Sequence, residues 1–303
     1  MEAIVYEEFG GPEVLRLQEA PEPHAGPGQV RVRVAAAGVN ALDYKIRRGW
    51  TKDMFPTTLP AVPGVEVAGT VDEIGDGVTG VAVGDEVVGW SVTGAYAPYA
   101  LAETVAPKPD ALSWETAVAL PVAGETSERV LRLLGVKNGE TLLVNGGAGA
   151  VGSIAVQLAV ARGATVVATA SEANHDFLRV LGATPVTYGE GLVERVRAVA
   201  PQGVDAVFDV AGKGALPDAI ELRGGTTDRV VTIADPGAAG LGVVFSGGAV
   251  SEDAESILAE QARLAADGTL RVEVAKVLPL EQAAQAQALS EEGHVRGKLV
   301  LQV

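Results

Sequence analysis

A short apolar run, Thr141–Asn145, leads directly into the loop Asn145-Gly146-Gly147-Ala148-Gly149-Ala150-Val151-Gly152, and a helical pattern follows from Val151 to about Ala161. Few features constrain a fold so tightly. Gly147, Gly149 and Gly152 satisfy G-x-G-x-x-G, a spacing with a mechanical meaning. The first glycine lets the chain turn sharply, the second leaves room for a pyrophosphate, and the third lets helix and strand pack closely. The helix start then aims unpaired N–H groups and a partial positive charge at the phosphates. A glycine-rich turn is common in a chain with 38 glycines, so context must decide. Here a strand precedes the loop, a helix follows, and a second strand, Thr165–Ala170, comes next. Gly147, Ala148, Gly149, Ala150, Val151 and Gly152 are therefore expected to cradle a dinucleotide.

The rest of the second half agrees with that reading. Asn174–Leu181 reads as helix, and Pro185–Tyr188, Ala206–Val210 and Arg229–Ala234 read as strands with helices between them. Strands alternating with helices imply an α/β architecture with a doubly wound parallel sheet. Ala211 and Ile233, at the ends of two of these strands, join the expected cofactor contacts, and Gly212 permits close backbone approach. The first part of the chain has a different texture. Met1–Tyr6, Gln29–Ala36, Val65–Ile74 and Asp85–Trp90 alternate or are β-branched, and Gly/Pro clusters separate them. Short strands with such punctuation predict a β-rich, barrel-like unit. A helix is expected at Leu280–Glu291 and a last strand at Lys298–Val303, docking back onto the first unit. The expected division is 1–120 with 271–303, and 121–270.

The identity of the dinucleotide turns on the end of the second strand. NAD-binding folds of this kind place an acidic residue there to hold the ribose 2′-OH. Ser171 occupies the position in this chain, and a hydroxyl donates to a 2′-phosphate without repelling it. Asn174 and His175 follow closely as further donors. Glu172 argues the other way, and no Arg or Lys lies in this loop. NADP is the expected cofactor. Ser171 and Asn174 also suit a plain helix cap.

Composition removes other classes. The formal net charge of −16 repels nucleic acid and anionic membranes. There is no cysteine, which excludes disulfides and thiolate metal sites. The N-terminus lacks the basic start and apolar core of a signal peptide, and no stretch approaches the length of a membrane span. A soluble, cytoplasmic protein with no nucleic-acid or membrane partner is expected.

Several segments together carry a family likeness: Ala37-Gly38-Val39-Asn40-Ala41-Leu42-Asp43-Tyr44-Lys45, Pro63-Gly64-Val65-Glu66-Val67-Ala68-Gly69, Val83-Gly84-Asp85-Glu86-Val87, Gly94-Ala95-Tyr96-Ala97, the glycine loop, and Arg296-Gly297-Lys298-Leu299-Val300. The chain resembles, over essentially its whole length, the zinc-free branch of the medium-chain dehydrogenase/reductases, the quinone oxidoreductases and related enone reductases. That resemblance implies a GroES-like catalytic domain plus a Rossmann domain, and a homodimer or homotetramer. Zinc-dependent members use Cys and His ligands near the first two segments, whereas this chain has no Cys and carries Val65 where they carry His. The resemblance also implies that Thr126 contacts the cofactor and that Tyr188 lies near the 2′-phosphate. Many members have Lys where this chain has Asn174.

Reducing a quinone or enone by hydride transfer needs a donor for the developing oxyanion. In enone reductases similar to this chain, a Lys two residues after the Asp faces the nicotinamide ribose and the substrate, and Lys45 fits that position. Tyr44 is the competing donor, and Asn40 is expected beside them. Bacterial quinone reductases have Tyr at the Lys45 position, so the chain leans toward the enone type. Asn40 and Asp43 are equally typical cap formers, and Lys45, Arg47 and Arg48 suit a solvated face. Trp50, Phe55 and Trp90 are candidates to wall the substrate pocket, and Lys298 and Arg296 to reach the cofactor diphosphate. The rivals to an NADPH-dependent reductase are an NADPH-binding sensor or structural protein with little turnover, and an enoyl-thioester reductase.

Overall fold

Residues 1–248 and 250–303 are described by a computed structural model. Two compact units emerge, one formed by residues 1–122 with 252–303, the other by 123–251.

In the first unit, alternation becomes strand as expected. Glu2–Val5 (β1) pairs antiparallel with Arg16–Glu19 (β2). Val30–Val39 (β3) is the strand around which the unit is built. Helix α1 (Ala41–Arg47) follows it, then β4 (Glu66–Ile74), β5 (Glu86–Ser91), β6 (Tyr99–Pro107) and the short helix α2 (Trp114–Val118). One flank of β3 pairs with β4; on the other, Val30–Arg33 pairs with β6, so β3 to β6 close on themselves. Register shifts at Arg31/Val32 and Val34/Ala36 bend β3, as bulges do. Its inward residues Val30, Val32 and Val34 join Val67, Val71, Val87 and Val105 in one core. Each such side chain contributes about 1.5–3 kcal/mol on burial.

No strand signal marks β6, whose Ala- and Glu-containing run suits a helix equally well. Pairing on both flanks makes it a strand, a case of tertiary context overriding propensity.

The chain re-enters this unit with α8 (Ala254–Ala266), β13 (Val274–Pro279), α9 (Ala283–Glu292) and β14 (Lys298–Gln302). The helix expected from Leu280 begins with one tighter turn at Leu280–Gln282. β14 pairs antiparallel with Ala36–Val39 of β3 and parallel with β13.

The second unit carries α3 (Pro121–Leu134, which starts at the unit boundary), then β7 (Thr141–Asn145), α4 (Ala150–Ala161), β8 (Thr165–Thr169), α5 (His175–Val180), β9 (Thr184–Val186), α6 (Leu192–Val199), β10 (Ala206–Asp209), α7 (Leu216–Leu222), β11 (Val230–Thr232) and β12 (Val244–Phe245). All strand pairs are parallel, in the order β12-β11-β10-β7-β8-β9. β7 is buried along its whole length, as a central parallel strand covered on both faces must be. Leu142 and Val144 pack with Ala155, Val156 and Ala159 of α4, while Leu143 faces Leu192 and Val196 of α6. The chain winds outward from β7 through β8 and β9, then returns to β10 and winds the other way. The switch point therefore lies between β7 and β10, where open α/β sheets bind ligands beyond their strand ends. No described helix is long and apolar enough to cross a membrane.

Candidate active site

The loop after β7 is shaped by its glycines, and the three positions of the motif are not equivalent. A Cβ on Gly147 would lie 2.7 Å from Ala168 Cβ, and one on Gly152 would lie 2.2 Å from the Gly146 carbonyl oxygen. Both glycines are demanded by the protein's own packing. Among the described residues, a Cβ on Gly149 would meet nothing nearer than the Gly146 oxygen, at 3.8 Å. Gly149 has an ordinary φ of −75°, so neither packing nor backbone conformation requires glycine there. It leaves a Cβ-sized space at the N-terminus of α4, whose N-cap has no side-chain cap. The first intrahelical bond runs from the Ser153 N–H to the Gly149 oxygen at 2.9 Å, leaving the N–H groups of Ala150, Val151 and Gly152 ahead of it. That arrangement fits a dinucleotide diphosphate.

A buried polar chain fixes the strand ends around this loop. Thr169 Oγ1 donates to Asn145 Oδ1 at 2.7 Å and accepts the Gly146 N–H at 2.9 Å. Asn145 Nδ2 donates to Asp209 Oδ1, and Thr232 Oγ1 donates to Asp209 Oδ2, both at 2.7 Å. Asp209 also accepts the Gly212 N–H at 3.0 Å. The chain thus crosses the carboxyl ends of β8, β7, β10 and β11 and sets the loops that follow β7, β10 and β11. Sequence reasoning assigned it no role. Its available signal was that these strands each end on a residue that can hydrogen-bond: Asn145, Thr169, Asp209 and Thr232.

Because the strands are parallel, most of the cofactor candidates gather at one edge of the sheet. Ala211 packs against Gly146, where an added Cβ would meet its methyl at 3.0 Å. Ile233, half-buried, donates its N–H to the Asp209 carbonyl at 3.1 Å. Ser171 and Asn174 lie just past β8 and are joined, Asn174 Nδ2 donating to Ser171 Oγ at 3.2 Å. His175 starts α5, half-buried. Tyr188 is 48 % exposed in the loop after β9. Thr126 is buried on α3, its hydroxyl 3.4 Å from Arg129 Nη2.

The first unit holds the proton-donor candidates on α1. Asn40 is the N-cap of this helix. Its backbone N–H donates to Asp43 Oδ2 at 2.7 Å, the reach-back of a capping box. Both ends of its side-chain amide are held within the unit: Nδ2 donates to Glu66 Oε2 at 2.8 Å, and Oδ1 accepts from Lys298 Nζ at 2.6 Å. Asn40 can thus offer a substrate oxygen at most its second Nδ2 hydrogen. Lys298 differs in the same way from its expected place at a diphosphate. It is 2 % exposed, and its ammonium is held by Asn40 and by an ion pair with Glu66. Arg296 pairs with Glu273 at 3.1 Å.

Lys45 and Tyr44 are both half-buried. Burial pushes the Lys45 ammonium below its ordinary value. Burial, helped by Glu291, pushes the Tyr44 phenol above its own. The Tyr44 ring meets Trp50 edge-on at 6.2 Å. Trp50 is 65 % exposed, Phe55 is half-buried, and Trp90 is buried on β5 opposite Glu66. The three aromatics therefore do not share one environment.

Known proteins resemble the chain on both units. Residues 26–110 match the family described as the alcohol dehydrogenase GroES-like domain, and residues 181–301 match that described as zinc-binding dehydrogenase. A quinone oxidoreductase from Sus scrofa is 32% identical over 326 residues, covering 99% of this chain and 97% of that protein. A 2-methylene-furan-3-one reductase from Solanum lycopersicum is 36% identical over 241 residues, covering 75% of this chain. The match spans only 61% of that relative's own length. The solved structure of Escherichia coli quinone oxidoreductase complexed with NADPH is similar with a TM-score of 0.86 at 27% identity, covering 100% of both chains. The first unit accordingly has the GroES-like fold, and the second the Rossmann fold.

Proposed function

The chain belongs to the quinone oxidoreductase branch of the medium-chain dehydrogenase/reductases, and from that premise we propose that it uses NADPH to reduce a quinone or the activated C=C bond of an enone, without a metal ion. The observation that carries the reading is the space at Gly149, which the protein leaves unfilled at the N-terminus of α4. Gly147 to Gly152 hold the diphosphate there through backbone N–H groups. Ser171, oriented by Asn174, meets the 2′-phosphate, with His175 and Tyr188 at its margin. Ala211 and Ile233 border the nucleotide at the strand ends, and Thr126 contacts its nicotinamide end. NADPH, when bound, supplies the hydride. Its relatives support this assignment, since the E. coli enzyme was solved with NADPH.

Lys45 supplies the proton to the reduced oxygen. Burial acts on the two candidates in opposite senses: it makes the Lys45 ammonium a stronger acid and the Tyr44 phenol a weaker one. Both shifts act in favour of the lysine as the donor. Lys45→Ala should lower kcat by about a hundredfold or more, the range of a lost general acid, with NADPH affinity nearly unchanged. An unaltered kcat removes Lys45 from the chemistry. Metal independence rests on the chain itself, which has no cysteine and carries Val65 in the segment where zinc-dependent members carry His.

The experiment that tests the reading follows oxidation of NADPH, and of NADH in parallel, with a panel of quinones, enones and enoyl thioesters, before and after chelator treatment. Turnover of quinones or enones, faster with NADPH and unchanged by chelator, is expected. No turnover with any acceptor would favour a cofactor-binding role. Equal rates with NADH would overturn the cofactor assignment, and loss of rate on chelation would overturn the metal-free mechanism.

A further inference from the structure

A lysine and a glutamate both withdrawn from solvent meet in the first unit, and neither takes part in the chemistry just described. Lys298 lies on β14 and is 2 % exposed; Glu66 lies on β4 and is 0 % exposed. They form an ion pair, and both also hold the side chain of Asn40, Glu66 by accepting from Nδ2 and Lys298 by donating to Oδ1. Residues 258 positions apart thus converge on one amide. The second Glu66 oxygen accepts the Val122 N–H at 2.7 Å, at the start of α3. The backbone makes room for this carboxylate. Gly38 stands opposite Glu66 in the β3–β4 register, and a Cβ on Gly38 would fall 2.0 Å from Glu66 Oε2.

Burying such a pair is not an economical route to stability, because desolvation of both charges offsets their attraction and an apolar pair of similar volume often does as well. What the pair supplies is direction. An ammonium on Oδ1 and a carboxylate on Nδ2 permit one orientation of the Asn40 amide and forbid its flip, since the flipped amide would present NH2 to the ammonium and C=O to the carboxylate. Asn40 is the N-cap of α1, a helix of only 7 residues. A helix that short has little stability of its own and takes its geometry from its cap and its packing. Tyr44 and Lys45 project from it.

We propose that Lys298 is a positioning residue: clamped between Glu66 and Asn40, it fixes the N-cap of α1 and so the direction from which Lys45 and Tyr44 are presented. The catalytic part of this inference rests on the proposed role of α1 in proton donation; the structural part does not.

The test uses the full chain carrying Lys298→Met, Lys298→Arg, or Lys298→Met combined with Glu66→Gln. Steady-state turnover, NADPH binding by fluorescence titration, thermal melting, and hydrogen–deuterium exchange of residues 41–47 are read for each. Lys298→Met should reduce kcat roughly tenfold to a hundredfold, the scale of a small misplacement of a reacting group, while NADPH affinity stays within about twofold. Exchange across α1 should speed up about tenfold or more, with the β3–β6 barrel still protected. The double variant, free of an unpaired buried charge, should recover the melting temperature but not kcat. Lys298→Arg should restore part of both kcat and protection. A double variant that regains kcat along with its melting temperature would show a purely structural pair and overturn the proposal. So would unchanged α1 exchange in Lys298→Met, or in the double variant if the single one does not fold. Should the wild-type chain reduce no quinone or enone, the functional reading fails separately, and α1 exchange still decides the role of Lys298.

Discussion

Gly149→Ala should leave the fold intact and cripple NADPH binding, while Gly152→Ala, three residues on, should damage the fold itself. The two positions look alike in the motif, but their surroundings differ. At Gly152 the new methyl would sit 2.2 Å from the Gly146 oxygen and 2.8 Å from Gly147 Cα, both backbone atoms. Relief requires α4 to move off the turn after β7. Alanine is intrinsically better than glycine inside a helix by about 1 kcal/mol, so the clash must exceed that gain. A net loss of about 2–3 kcal/mol is expected, the usual range for overpacking. At Gly149 the nearest atom would be 3.8 Å away, and φ is −75°. Alanine there meets no clash, and restricting the unfolded chain, by up to about 1 kcal/mol, offsets its poorer fit to an N-cap position, so the fold should stay intact. Its methyl fills the space assigned to the diphosphate, so NADPH affinity should fall about tenfold to a hundredfold, or ~1.4–2.8 kcal/mol. Denaturant unfolding and NADPH titration of both variants decide the matter. Wild-type affinity in Gly149→Ala would mean that no diphosphate lies against this loop.

The second large effect is a pH dependence of stability carried by Asp43. This carboxyl is 2 % exposed. Burial, with a smaller contribution from the charge of Glu66, pushes it from an ordinary 3.8 up to about 7, against the opposing pull of the Asn40 N–H, Lys298 and Tyr96. One oxygen accepts from the Asn40 N–H and the Tyr96 hydroxyl at 2.7 and 3.3 Å. The other, Oδ1, is buried with no partner among the described residues, an arrangement costly for a charged group. A group whose value is raised on folding contributes stability that is fully present below its unfolded value. That stability is lost as pH rises through the folded value. For Asp43 the window runs from about pH 4 to about pH 7, and its span is ~4 kcal/mol. Asp43→Asn keeps a carbonyl acceptor for Asn40 and Tyr96 but cannot ionise. Relative to wild type, the variant should gain stability as pH rises from 4.5 to about 7 and then level off. A difference that stays flat over that range would show that Asp43 ionises without penalty.

The features that announced themselves in the linear chain are those set by neighbours in sequence. The β7–loop–α4 unit was legible because turn, helix start and close packing each place a residue requirement at a fixed spacing. Alternation in Gln29–Ala36 was legible for the same reason, since a strand with one face in the core must alternate. Glycine spacing does not say which glycine serves the protein and which serves a ligand. Gly147 and Gly152 are held by contacts with Ala168 and the Gly146 carbonyl, whereas no described residue would come closer than 3.8 Å to a Cβ on Gly149, and only three-dimensional distances separate the cases.

Beyond local pattern, partners far apart in sequence decide. β6 is a strand because β3 and β5 flank it. Asp209 became part of the nucleotide-site scaffold because Asn145 and Thr232 converge on it from adjacent strands. Lys298 and Asn40, each readable from sequence as facing a ligand, face each other and Glu66. A charged or amide group can be satisfied equally well by a ligand or by the protein, and composition and spacing carry no information on which. Burial and the identity of the neighbouring atoms do. Local spacing was thus enough for the G-x-G-x-x-G turn, because its physics is confined to a few consecutive residues. The contacts among Asn40, Glu66 and Lys298 were decided only by the packing that brings β3, β4 and β14 together.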